Sequence, residues 1–281
     1  MYNLLKYDFK YLWRIWWIAA VASLAATLVG IFSMKRVMYS EEMPIPEGQL
    51  SRSASGVLDG LGVSGMAMFF LAAFVFVVLI ELLVMYRYYK NFFTDEGYLT
   101  FTLPVTENKL LMGKSISGTI AYMGTAVVAL ILLAIFGWFA LYFQIGWEGT
   151  WRDISRFAYE FFNDIGTYAG LYLIEFILLG IASCIFNVQL GYISITIGSV
   201  IAKKNKLLAG IGMFFAISMA LSIATNILGT VGLINIDWGG GLSPDAYIAI
   251  ALGLVVVFLL GLSVLCYFLN LELLKKRLNL A

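Results

Sequence analysis

Six long stretches of the chain are almost free of charged residues, and they determine the predicted architecture. A helix of about 20 mostly apolar residues crosses a hydrocarbon core of about 30 Å, and each stretch reaches that length. The apolar runs are continuous, without the alternation that is typical of a membrane β-strand. The sequence therefore predicts an all-α membrane protein with a single transmembrane domain over 1–281. Its six transmembrane helices are predicted at 15–34, 61–86, 110–146, 167–202, 207–229 and 247–272.

Lysine and arginine indicate the orientation of these spans. With the N-terminus inside, twelve of the 18 basic residues fall on inner segments and a thirteenth, Lys114, lies at the inner end of the third span, in agreement with the positive-inside rule. An even number of spans then places both termini in the cytoplasm. The inner segments are 1–14, 87–109, the turn 203–206 and the tail 273–281. The outer segments are the loop 35–60, the amphipathic segment 147–166 and the loop 230–246, which could re-enter the membrane.

Composition excludes several classes of function. Hydrophobic residues make up 62% of the chain and charged residues 12%, whereas soluble domains carry about 25% charged residues. The net charge of +1 does not favour a nucleic-acid partner, and a sequence without histidine lacks the usual general base and metal ligand. The string Met-Gly-Lys-Ser at 112–115 is not a phosphate-binding loop, because Asn108 replaces a required glycine. We expect no catalytic residue, no metal and no enzyme activity of the chain alone.

The first residues of the chain combine an apolar and a basic helical face. The apolar face carries Leu5, Phe9, Leu12 and Trp16, and the basic face carries Lys6, Lys10 and Arg14. With Trp13 and Trp16 as aromatic anchors, the pattern predicts an interfacial helix over 1–14 that lies on the inner leaflet before the first span. This helix serves either as a positive-inside anchor or as an elbow helix that contacts a partner.

Two carboxylates lie at membrane depth, where charged groups are rare and indicate a functional position by default. Glu81 could instead snorkel, or pair with the region of Arg87, because it lies near the inner end of its span. Glu175 could line a substrate path or bond to a neighbouring helix. The inner half of the long fourth span is polar, so that its amides are expected to face protein. The candidate translocation path is Glu81, Glu175, Asn187 and Gln189.

Caps and aromatic residues distinguish the segment 86–114, which connects the second and third spans. Thr94 is placed to cap a short helix that carries Asp95 and Glu96 in its first turn. Thr106 is placed to cap the helix that follows. The tyrosines at its start fit a headgroup belt, whereas the aromatic residues further along lie beyond that belt and fit a protein-docking surface.

The segment 91–114 resembles the cytoplasmic loop of ABC-2-type permeases of Gram-positive bacteria, through Asp-Glu-Gly-Tyr-Leu-Thr-Phe-Thr-Leu-Pro at 95–104. The amphipathic N-terminal helix, the basic turn 203–206 and the tail 274–280 agree with that family. The resemblance implies an ABC-2 fold of the type V exporter kind, with a cytoplasmic coupling helix that inserts into an ATP-binding subunit. The implied coupling residues are Thr94, Asp95, Glu96, Gly97, Tyr98, Leu99 and Phe101.

The same resemblance implies partners and an activity. The permease pairs with a second permease, identical or related, and the pair binds two separately encoded ATP-binding subunits. ATP and Mg²⁺ belong to those subunits, so this chain binds no cofactor. The chain is similar to plasma-membrane exporters of amphipathic peptides, either toxins of the phenol-soluble-modulin type or antimicrobial peptides. The alternative is a proton- or cation-coupled secondary transporter that uses Glu81 and Glu175.

Overall fold

Six long helices make up most of the described part of the chain. The computed structural model describes residues 2–42, 49–94, 96–97, 102, 105–164, 169–202, 204–235 and 244–278. The helices are α1 (Tyr2–Glu42), α2 (Gln49–Phe93), α3 (Glu107–Asp164), α4 (Ala169–Ile201), α5 (Lys206–Asn235) and α6 (Pro244–Leu278). The predicted all-α architecture with six long apolar helices is confirmed.

Each of these helices contains a segment that is long and apolar enough to cross a membrane. The segments are Lys6–Lys35, Ser64–Phe93, Glu107–Asn163, Gly170–Ile201, Lys206–Ile227 and Ile248–Lys276. Large apolar side chains such as Phe32, Phe74 and Val257 are at least 68% exposed on their surfaces. A surface of this kind is stable against lipid chains and unstable against water. The chain is therefore a multi-pass helical membrane protein.

The first helix corrects one prediction. The sequence predicts an interfacial helix over 1–14 that is separate from the span 15–34, whereas α1 is one continuous helix from Tyr2 to Glu42. Sharp helix bends occur almost always at proline, at glycine or at a bulge. Neither proline nor glycine precedes Gly30 in the sequence, so no residue of that kind interrupts the backbone hydrogen bonds at the predicted junction.

The loops are shorter than predicted because the helices extend beyond the apolar runs. Most of the predicted outer loop 35–60 is helical, since α1 continues to Glu42 and α2 begins at Gln49. A glycine in a helix costs only about 1 kcal/mol, so the glycines of this loop do not prevent α2 from starting early. The predicted loop 230–246 is shorter for the same reason, because α5 continues to Asn235 and α6 begins at Pro244. Its residues 236–243 lie outside the described residues.

Gly146 separates α3 into two helical parts. Its φ of 71° and ψ of 179° are not helical, and glycine adopts a positive φ without the steric cost that a side chain brings. The break coincides with the boundary between the predicted span 110–146 and the predicted amphipathic segment 147–166. Beyond Gly146, the helix continues to Asp164 and exposes both charged and apolar side chains, such as Arg156 and Phe157.

The chain divides into two compact units. One unit consists of Met1–Lys10, Glu81–Met123 and Ile165–Ala281, and the other consists of Tyr11–Ile80 and Gly124–Asp164. We call them the first and the second unit. A buried cluster of aliphatic and aromatic residues from α1, α2 and α3 forms a core of the second unit. Its members are Ile31, Met34, Phe69, Leu132 and Phe136, and the rings of Phe69 and Phe136 stack with centroids 4.1 Å apart.

In the first unit, α4 packs against both α5 and α6. The side of α4 from Val188 to Thr196 is almost wholly buried. Gly198 and Gly210 bring the backbones of α4 and α5 together, because a Cβ atom at Gly198 would overlap the backbone of Gly210. Such close approach by small residues is a usual way for membrane helices to gain van der Waals contact.

We expect Gly198→Ala to lower the thermal midpoint of the protein in detergent. The added methyl group would meet backbone atoms, which cannot rotate away as a side chain can, and overpacking of this kind costs about 1–3 kcal/mol. The matched control is Gly212→Ala on α5, where a Cβ atom would meet open space. Circular dichroism during heating measures both variants, and equal midpoints for the two would contradict the close contact.

Candidate functional site

A buried ion cluster joins α1, α2 and α3 within the first unit. Asp8 of α1 forms an ion pair with Lys114 of α3 and accepts a hydrogen bond from Arg87 Nε of α2 at 3.3 Å. The side chains of Asp8 and Lys114 are each only 5% exposed. One carboxylate therefore balances two cations at a point from which water is largely excluded.

Burial makes this cluster a strong structural constraint. Removing charges from water is costly, and a buried ion pair is tolerated only when each charge has a close partner and further hydrogen bonds. A fourth helix also contacts Lys114. The Tyr192 hydroxyl of α4 donates a hydrogen bond to the backbone carbonyl of Lys114 at 3.0 Å. The three helices cannot separate here without exposing an unpaired charge to an apolar environment.

The ion cluster continues into the turn that follows α2. Glu96 lies 2.8 Å from Lys90 Nζ and 4.0 Å from Arg87 Nη1. The Thr94 hydroxyl donates to the carbonyl of Lys90 at 2.5 Å, and Gly97 N donates to the carbonyl of Thr94 at 2.8 Å. Arg87 thus contacts the buried Asp8 on one side and the half-exposed Glu96 of the turn on the other.

The predicted coupling segment coincides with this turn. Of its predicted residues, Thr94, Glu96 and Gly97 lie at the end of α2, while Asp95, Tyr98, Leu99 and Phe101 lie outside the described residues. The Thr94 hydroxyl bonds back to α2, where the sequence predicts a cap for the next helix. At the second predicted cap, the carbonyl of Thr106 accepts the first hydrogen bond of the helix from Leu110 N at 3.2 Å, as expected of a capping residue.

Sequence analysis missed Asp8 and Lys114. Asp8 lies among the basic residues of the first segment, and Lys114 belongs to the inner basic residues and to a string that resembles a phosphate-binding loop, so neither stands out as half of a buried pair. Two signals were available. Lys114 is followed by a long run without charges, which forms the third predicted span. Asp8 is the one acidic residue before the first predicted span. A lone acid and a lone base at membrane edges are a plausible ion pair on electrostatic grounds.

A hydrogen-bonded network is buried next to the ion cluster in the first unit. The hydroxyls of Tyr88 and Thr196 lie 2.9 Å apart, and they donate to Asn270 Oδ1 from 3.1 Å and 2.7 Å. Tyr88 also stacks on Tyr192, with ring centroids 4.2 Å apart. The network joins α2, α4 and α6. The prediction of a headgroup belt is wrong for Tyr88, which is fully buried because its hydroxyl has partners in protein, whereas Tyr86 is 41% exposed.

Glu81 lies within the apolar segment Ser64–Phe93 and forms no ion pair with Arg87, one of the two partners or positions that the sequence suggests for it; snorkelling stays a prediction. Glu81 precedes the end of the segment Ser64–Phe93 by twelve residues, or about 18 Å along the axis. Its Oε2 accepts a hydrogen bond from the Tyr122 hydroxyl of α3 at 3.3 Å, and its Oε1 is buried without a hydrogen bond within the described residues.

A small cavity brings two of the four predicted path residues together. Glu81 and Asn187 line it with Tyr122, and its volume is ≈ 10 Å³. Glu175 and Gln189 do not line it. Glu175 Oε1 lies next to Gly253 of α6, and Gln189 is 5% exposed, with its Oε1 buried and without a hydrogen bond among the described residues.

The predicted anchor residues of α1 keep their two faces. Lys6, Lys10 and Arg14 are exposed, whereas Leu12 is buried, as expected for an amphipathic helix. In the second unit, Trp13 is exposed and stacks on Trp16, whose indole Nε1 donates to the Thr125 hydroxyl at 2.9 Å. Trp16 therefore packs against protein at its polar atom. The role of these residues as lipid anchors stays a prediction.

Comparison of the chain with protein-family models, with curated proteins and with solved structures gave no match. Two local features of the chain indicate its function. One is the motif around 95–104, and the other is the ion cluster that holds the start of the same segment. No group of His, Cys, Asp or Glu residues suited to a metal ion occurs within the described residues.

We expect Asp8→Asn to destabilise the protein by about 3–5 kcal/mol, the range observed when one member of a buried ion pair is removed. The variant leaves the buried Lys114 without its ion-pair partner and next to the cation of Arg87. The matched control is Glu160→Gln, which removes an exposed partner of Arg156 and should leave the stability nearly unchanged, because exposed ion pairs contribute little.

Chemical unfolding in detergent measures both variants of this prediction. The double variant Asp8→Asn with Lys114→Met should recover part of the loss, because no uncompensated charge then stays buried at that position. An Asp8→Asn variant as stable as the Glu160→Gln control would show that the buried pair does not constrain the helices.

Proposed function

We propose that the chain is the membrane-spanning subunit of an ATP-driven exporter of the ABC-2 type. Its segment 94–102 is the coupling helix region, which docks into a separate ATP-binding subunit. The chain itself has no catalytic site, and ATP and Mg²⁺ bind to the partner. Two copies of that subunit and a second permease complete the assembly, in the plasma membrane of a bacterium and with both termini of this chain in the cytoplasm.

The observation that carries this proposal is the attachment of the turn at Glu96 to the buried ion cluster. A docking segment can transmit force only if it is fixed to the helices that must move. Arg87 links Glu96 to Asp8, and Asp8 is paired with Lys114. Movement of the turn is thereby passed to α1, α2 and α3 together, which is the property that a coupling segment requires.

An amphipathic peptide is the cargo that the family resemblance favours. The spans combine many exposed aromatic and aliphatic side chains with few charges. A surface of this composition suits an amphipathic peptide, which can keep its polar side toward water and its apolar side toward the protein. The exposed aromatic residues of 147–164, such as Trp151 and Phe161, lie on a segment that is also amphipathic.

Purification of the tagged chain from its native membrane tests this function. We expect a protein with a phosphate-binding loop to co-purify in mild detergent, with ATP hydrolysis in the eluate. The variant Tyr98→Ala with Phe101→Ala should lose both the partner and the hydrolysis, because it removes the aromatic anchors of the docking surface. The matched control is Phe157→Ala, which removes an exposed aromatic residue from another segment and should keep both.

A second candidate function is a proton- or cation-coupled secondary transporter. It is favoured by two carboxylate oxygens, Glu81 Oε1 and Glu175 Oε2, which are buried without a hydrogen bond within the described part of the chain. The same purification separates the two candidates. A chain that purifies alone, shows no ATP hydrolysis and moves substrate in proteoliposomes under an ion gradient would contradict the ATP-driven exporter and support the second candidate.

A further inference from the structure

The cavity beside Glu81 has an unusual polar lining. Its polar side chains come from three helices of the first unit: Glu81 from α2, Tyr122 from α3 and Asn187 from α4. The remaining lining residues are Val84, Met85, Val188 and Gly191. Among the described residues, no lysine or arginine lines the cavity to balance the carboxylate.

One oxygen of Glu81 at this cavity has no hydrogen-bond partner within the described residues. The Tyr122 hydroxyl has one hydrogen, and it donates to Glu81 Oε2. Asn187 Nδ2 donates to the carbonyl of Ser183 at 2.9 Å, so that its Oδ1 remains as an acceptor. Glu81 Oε1 is an acceptor as well when the carboxyl is ionised, and it is buried without a hydrogen bond among the described residues. The buried Glu81 Oε1 therefore needs either a hydrogen-bond donor or a proton of its own.

The size of the cavity limits the donor. A water molecule needs about 10–15 Å³ of space of this kind, together with polar partners, and the cavity measures ≈ 10 Å³. A dehydrated metal cation would need six or more oxygen ligands if it were of the calcium or magnesium type, and the cavity side chains offer four oxygen atoms in all, two of them on Glu81. A proton needs one oxygen and neutralises the charge completely.

We propose that this cavity is a proton-binding site, in which Glu81 carries a proton on Oε1 and one water molecule links that oxygen to Asn187. A hydronium ion delivers the proton to the carboxylate and leaves a neutral water molecule behind. The protonated carboxyl then donates to that water, and the water donates to Asn187 Oδ1. The other titratable groups nearby are Tyr122 of α3 and Cys184 of α4, and both are neutral in their protonated forms.

This site goes beyond the coupling of the chain to ATP and does not depend on it. It gives the protein a group that binds and releases a proton at the junction of α2, α3 and α4, in the middle of the apolar segment of α2. Proton binding there would bias how these three helices pack, because the ionised carboxylate costs far more in an apolar environment than the neutral acid. The assay uses the chain alone, so its outcome is independent of any ATP-binding partner.

Infrared difference spectroscopy of the purified full chain in lipid nanodiscs tests the proposal. At neutral pH we expect a carbonyl band of a protonated, buried carboxyl group, which is lost in Glu81→Gln. Glutamine has nearly the same shape and cannot carry the proton, so circular dichroism should be unchanged. The matched control is Glu175→Gln, which removes the other carboxylate at membrane depth and should keep the band of Glu81.

A second variant tests the water link, and it keeps the proposal testable if Glu81→Gln does not fold. Asn187→Leu removes the amide acceptor and keeps the acid, so the carbonyl band should stay and move to a higher frequency as its hydrogen bonding weakens. A band that is unaffected by both Glu81→Gln and Asn187→Leu would overturn the proposal. It would also be overturned by a carboxylate signal of Glu81 at neutral pH that responds to added sodium chloride and not to acid.

Discussion

The carboxylate of Asp8, held between Lys114 and Arg87, is the interaction on which the first unit depends. In water, one carboxylate near two cations would contribute little, because exposed ion pairs are worth about 1 kcal/mol or less. At 5% side-chain exposure the same contact becomes a constraint, since each partner left alone would keep a buried charge. The pair therefore fixes α1 against α3, and Arg87 extends this constraint to α2.

The same cluster connects the short turn at Glu96 to three long membrane helices. The turn at Glu96 is held through Lys90 and Arg87. Behind the ion cluster, the stacked pair of Tyr88 and Tyr192 continues the contact toward α4. The turn is therefore continuous with a packed and ion-paired part of the first unit, and close packing of this kind transmits strain.

The sequence predicts the fold at the level of its helices, because apolar length and the spacing of charges are local properties. All six helices were predicted, and the break at Gly146 lies where the amphipathic pattern begins. The helix ends were predicted poorly, since α1 and α2 extend through polar residues around 35–60 that no apolar pattern marks. Hydrogen bonds continue past the hydrocarbon region when nothing interrupts them.

The site was predicted only in part, because pairing between distant residues leaves no local pattern. The segment 94–97 was singled out by its motif, but the partner of its arginine anchor is Asp8, 79 residues from Arg87 in the chain. Glu81 was recognised as an unusual acid, whereas its contact with Tyr122 joins residues separated by 41 positions. Such contacts follow from the packing of α1, α2 and α3, which the order of hydrophobic residues does not specify.

Hydrogen exchange of the full chain in nanodiscs tests the central claim most directly, using the variant Arg87→Gln. This change removes the link between the turn and Asp8 and keeps the pair of Asp8 with Lys114. The account predicts faster amide exchange both in 86–97 and in 2–10, because the two segments are stabilised by one shared side chain. The control Arg156→Gln should change neither segment. Faster exchange in 86–97 alone would contradict the claim that the ion cluster joins the turn to α1.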